Sequence, residues 1–84
     1  MKFMIAIIIM FAPPNYPEVD MLIVDKKGEE ELRFDEFDRC AAYVYENIHA
    51  LHLFAYKSYA PKEIVVDHIA CLVDPTTKGR QVSI

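Results

Sequence analysis

Three histidines, two cysteines and a row of polar-tipped rings are the side chains in this sequence that could do chemistry. His49 and His52 stand three apart in a segment of helical pattern, and His68 follows in a run of β-branched residues. Three imidazoles make a ligand set that zinc accepts. The sequence contains neither HExxH nor CxxC, the spacings that place metal ligands on one element. The chain is therefore read as holding no metal or other cofactor. His49, His52 and His68 are the residues that would have to serve one.

Cys40 and Cys71 are the only cysteines. On facing elements they could join, provided their Cα atoms approach within about 7 Å. The favoured reading is a pair of reduced, buried thiols acting as small apolar groups, with the disulfide as the alternative. A core-facing thiol in mid-helix has no activating base beside it, so neither cysteine is read as a nucleophile. Two glycines cannot build a phosphate-cradling loop. Ser58 and Ser83 lack a nucleophile's setting. The carboxylates fall on turns and a helix start, where capping and solubility explain them. No residue is assigned a catalytic role, and the chain is read as a non-enzyme.

Tyr45, His49, His52, Tyr56 and Tyr59 recur at steps of 4, 3, 4 and 3. Such spacing puts amphipathic rings along one helical stripe. Rings of this kind suit a helix edge packed beneath a loop, or a protein contact where the body is covered and the tip stays wet.

The elements that must position these groups begin with MKFMIAIIIMF. Its ten-residue apolar run is half the length of a membrane-spanning helix. A signal core fits by length but not by flanks, because Lys2 is the only charge before it and Pro13 would follow a cut after Ala12. The remaining reading is a strand. Met4, Ala6, Ile8 and Met10 would line one face, and Phe3, Ile5, Ile7, Ile9 and Phe11 the other. Both faces are apolar, as in a strand covered on both sides. One cover would be the helix. The other is expected from a second molecule, which makes Met4, Ala6, Ile8 and Met10 interface candidates.

Pro13, Pro14 and Pro17 end that strand, and Asn15 and Tyr16 are expected in the loop between them. Met21–Asp25 reads as a second strand, and Gly28 as the turn of a hairpin. Glu31–Phe34 alternates as a third strand. Asp35 is the expected N-cap of one long helix whose regular part ends near Tyr56 and which Pro61 stops. Its core stripe would be Phe37, Cys40, Ala41, Val44, Ile48, Leu51 and Ala55. Glu63–Asp74 is the last long strand. The tail, residues 75–84, would fray or add a short edge strand at Gln81–Ile84. The order β-β-β-α-β defines an α+β two-layer sandwich: one domain, residues 1–84, with an antiparallel sheet of three to four strands on one helix.

Of the 84 residues, 54% are apolar, above the roughly 45–50% usual for soluble domains. A short chain buries only about 60% of its surface on folding, so self-association is expected. The net charge of −4 is unevenly spread. Glu18–Asp38 holds nine acidic residues against Lys26, Lys27 and Arg33, which leaves the remainder at +2. With no basic stripe, nucleic-acid binding is excluded. The acidic segment is either a solvated surface or a patch for a basic partner.

The motif F-D-x-x-D-R-C-A-A, followed by I-A-C-L-V, resembles a group of small uncharacterised proteins encoded by bacteriophages and some bacteria. Phe34, Asp35, Asp38, Cys40, Ala41, Ala42 and Cys71 carry the likeness. The resemblance implies no activity and no site residues. It implies a phage accessory protein that binds a host protein, or a minor virion component. The leading expectation is thus a cytoplasmic, self-associating protein-interaction module. The alternatives are a structural part of an assembly such as a virion, and a small exported protein with a Cys40–Cys71 disulfide.

Overall fold

A computed structural model describes residues 1–14 and 18–84, so the expected loop positions Asn15 and Tyr16 lie outside the described residues. The elements are β1 (Phe3–Phe11), β2 (Val19–Lys27), β3 (Glu30–Glu31), α1 (Phe37–Glu46), α2 (Ile48–Tyr59), β4 (Ile64–Val73), a 3-10 turn (Pro75–Thr77) and β5 (Arg80–Ser83). The architecture is α+β: an open five-stranded sheet with two helices packed on it.

The opening run is the central strand. β1 pairs antiparallel with β2 on one side and with β4 on the other, so that Ile7 stands between Leu22 and Ile69. Because side chains alternate across a strand, Ile5, Ile7 and Ile9 all point to the helices. There they meet Leu22, Val24, Cys40, Leu51 and Ala55 in the main core. Met4 and Ala6 point the other way, into a smaller cluster with Ile23. Fully burying one such aliphatic side chain is worth about 1.5–3 kcal/mol.

The second cover comes from within the chain, which corrects the expectation of another molecule. β5 pairs parallel with Leu22–Lys26 of β2. Leu22 and Val24 already pair with β1 on their other flank, so β5 lies on the side of β2 away from β1. To get there from β4, residues 74–79 must cross over β1 and β2. They cross on the face opposite the helices. A Cβ on Gly79 would lie 2.8 Å from the Met21 carbonyl oxygen and 3.1 Å from Cδ1 of Ile23. Only glycine permits that approach. Pro75, at the start of the crossover, is buried. Met4, Ala6 and Ile23 are consequently sealed, at 1%, 0% and 0% exposure. Of the two expectations for the tail, the strand is the one found: a 3-10 turn at Pro75–Thr77 leads into β5 at Arg80–Ser83.

Three further expectations change. The third strand is only two residues long. Phe34 instead bridges Phe3 through paired backbone hydrogen bonds of 2.7 and 3.0 Å. The N-cap is Glu36, without a side-chain cap bond, because Asp35 turns to the Lys2 ammonium. The helix is two helices. Asn47 donates its side-chain amide to the Tyr43 carbonyl at 2.9 Å, while its backbone N–H is shared between Tyr43 and Val44. Such side-chain competition for helix carbonyls is what makes asparagine a helix interrupter. The Asn47 carbonyl then accepts from Leu51 N–H and starts α2.

Candidate functional site

The two cysteines meet. Cys40 of α1 and Cys71 of β4 form a disulfide with their Cα atoms 6.2 Å apart, which replaces the favoured reading of reduced thiols by its alternative. The bond holds α1 over the β1–β4 side of the sheet. β4 is the last strand on that side, and its outer edge has no strand partner among the described residues.

Backbone alternation fixes which groups face that edge. In an antiparallel ladder successive residues turn their N–H and C=O groups to opposite sides. Asp74 N–H donates to the Lys2 carbonyl, and Ala70 and Leu72 stand opposite Ala6 and Met4. Ala70 and Leu72 therefore direct their backbone groups to β1, whereas Ile69, Cys71 and Val73 direct theirs outward. A register irregularity between Ile8 and Ile9 leaves Asp67 as the extra residue of β4. The regular part of the open edge accordingly runs from His68 to Val73.

Beside this edge lies an apolar groove of about 400 Å³. Its helical wall is Phe37, Ala41, Val44 and Tyr45 of α1, with Ile48 at the start of α2; its floor is Ile69–Cys71 of β4. No charged side chain lines it. Phe37 is 52% exposed and Tyr45 83% exposed, although Phe37 was expected on the core stripe. Edge-to-face contact with Phe3, at a ring separation of 5.8 Å, fixes the Phe37 ring at the groove's end. An open strand edge beside an apolar trough can accept another strand: ladder bonds supply affinity, and alternate side chains fill the trough.

The other expected site residues are dispersed. Of the ring stripe, Tyr45 borders the groove, His49 is exposed and Tyr56 is 43% exposed. The His52 ring nitrogen Nδ1 is 2.8 Å from the Ile48 carbonyl of its own helix. Tyr59 is buried and donates its hydroxyl to Asp20 at 2.6 Å. Burial, reinforced by that carboxylate, pushes the Tyr59 phenol well above its ordinary pKa. The break at Asn47 divides the stripe, so these five rings do not form one surface. His68, on β4, has Nδ1 2.6 Å from the Asp67 carboxylate. His49, His52 and His68 are not gathered, and no cluster of three metal-ligating side chains occurs among the described residues. Met4 and Ala6 are covered by their own chain and cannot form an interface; Ile8 and Met10 are half-buried.

Sequence reasoning missed the groove because it assigned Phe37, Ala41, Val44 and Ile48 to the core. The signal that could have found it is the width of the α1 stripe. It carries more apolar side chains than one narrow strand pair can cover. No helix among the described residues is long and apolar enough to cross a membrane. No family model, curated protein or solved structure matches the chain.

Proposed function

We propose that this protein is a non-catalytic protein-interaction module whose contact site is the β4 edge with the groove beneath α1. The observation that carries the reading is the coincidence of two unfilled features: outward backbone groups at Ile69, Cys71 and Val73, and an uncharged trough directly beside them. An edge strand is ordinarily blunted by lysine, proline or a neighbouring element. Ile69–Val73 has neither lysine nor proline. The phage resemblance supports the same class of role, a small binder of another protein.

A photo-crosslinking residue at position 45, compared with one at exposed Ser58 on α2, tests this in the native host. Adducts with a polypeptide are expected from position 45 and not from position 58. Equal yields, or none at either position, overturn the reading.

The disulfide favours a second reading of where the module works. Disulfides persist in oxidising compartments, so Cys40–Cys71 supports the exported alternative over the cytoplasmic one. Thiol labelling of protein isolated from its host under acid quench would read this directly: unlabelled cysteines support export, and labelled ones support a reducing compartment.

A further inference from the structure

We infer that the occupant of the β4 edge is a second copy of this chain, paired antiparallel about a two-fold axis at Cys71. The inference rests on the interaction-module reading and names its partner. Three observations single out this occupant.

The first is the register. The regular edge runs from His68 to Val73, and Cys71 is the middle one of its three outward-facing residues, Ile69, Cys71 and Val73. A two-fold axis there overlaps all three with themselves. Ile69 then faces the partner's Val73, Cys71 faces the partner's Cys71, and Val73 faces the partner's Ile69. All three are outward-facing residues, so each pair exchanges both of its backbone bonds, about six in total. An axis at Ala70 keeps about four, because Val73 would fall against the irregular Asp67.

The second is charge. The paired stretch, His68 to Val73, contains no lysine, arginine, aspartate or glutamate, so pairing it with its own copy sets no like charges face to face.

The third is the helix layer. α1 packs against both β1 and β4, so its axis lies over the space between them. Across the new strand pair the two α1 axes fall about 10 Å apart, one strand spacing plus two halves. Facing helices pack at about 8–10 Å. Each groove is then closed by the partner's Ala41 and Tyr45. The same contact would cover the apolar rings that a lone copy leaves exposed.

Hydrogen exchange at two protein concentrations, with sedimentation equilibrium, tests the proposal on the oxidised chain. In the dimer the Ile69, Cys71 and Val73 amides slow at least tenfold on going from low to high concentration. Val73→Pro removes an outward N–H from a half-exposed position and raises the dimer dissociation constant at least tenfold. Tyr45→Lys raises it severalfold. Val65→Lys, an exposed change outside the paired stretch, leaves it unchanged. A single protomer at all concentrations, or a dimer whose three amides exchange freely, overturns the proposal. So does a dimer broken by Val65→Lys and not by Val73→Pro. A single protomer that still crosslinks a different polypeptide through position 45 overturns this proposal alone and leaves the module reading standing.

Discussion

The two faces of the sheet are covered by unlike means. On one, two helices bury Ile5, Ile7 and Ile9, and the cover is fastened at both ends. Cys40–Cys71 ties α1 to β4, and Tyr59 ties the end of α2 to Asp20 of β2. On the other, a crossover of six residues seals Met4, Ala6 and Ile23, with no covalent fastening and one glycine at its closest approach. The contrast shows that an apolar face need not be met by an amphipathic element. A polar-looking segment, DPTTKG, suffices where its backbone can lie flat on the sheet.

The largest expected effect tests the stronger fastening. Replacing both cysteines, Cys40→Ala with Cys71→Ala, frees a loop of sequence separation 31. The chain-entropy estimate puts the loss at about 3.5 kcal/mol, read from denaturant midpoints. A loss below about 1 kcal/mol would mean that the helices need no tether.

Next comes the weaker cover. Gly79→Ala drives a methyl into the Met21 carbonyl and the Ile23 side chain, and should destabilise by about 1–3 kcal/mol. Amide exchange should rise first in β5 and around Ile23, with the helix face unaffected. Uniform acceleration across the chain would show that the two faces unfold together and remove the distinction. Gly28 is the control: its φ of 63° favours glycine, but a Cβ there meets nothing within 4 Å. Gly28→Ala should cost about 1 kcal/mol without a regional signature.

Tyr59→Phe sharpens the helix-face side. It removes a hydrogen bond to a carboxylate while keeping the ring against Phe11 and Arg80. A loss of about 1–2 kcal/mol is expected. A change within measurement error would place the anchoring in the ring alone.

The smallest effect lies at the Lys2–Asp35 pair, at the solvent margin of both covers. The hydrogen bond from Lys2, and then its charge, hold the Asp35 carboxyl below the usual carboxylate range. A depressed folded-state value means the contribution is complete above the unfolded carboxylate pKa, near 4, and is lost as pH falls through the lower folded value. Both side chains are exposed, so the effect on stability is slight. Carboxyl NMR titration should show Asp35 moving toward the unperturbed range in Lys2→Met; an unchanged midpoint would refute the pairing.

Much of the sheet was legible in the sequence. β1, β2 and β4 announce themselves as long apolar runs rich in β-branched residues, bounded by prolines or charges. The break at Asn47 was not legible, since Cys40, Val44, Leu51 and Ala55 keep one helical period across it. Asparagine in mid-helix signals an interruption only when its amide finds a carbonyl, which is a matter of geometry. The far-face cover was hidden for another reason. Hydropathy ranks residues 74–79 as solvent-seeking, whereas their burial of Met4 and Ile23 depends on which face the chain crosses. That is decided by where β5 docks. The groove was legible as apolar residues but misplaced, because the sequence does not disclose that β4 is an edge.

The placement of β5 also governs the order of assembly. Residues 80–83 follow the other described elements in sequence, yet the crossover cannot settle until they have found β2. A nascent chain therefore carries Met4, Ala6 and Ile23 bare while the helices are already able to form. Parallel pairing between distant segments is slow, and bare strand surface invites aggregation in the interval. This fold is vulnerable until β5 docks, and slowing that docking should lower the yield of folded protein before it changes the properties of the molecules that succeed.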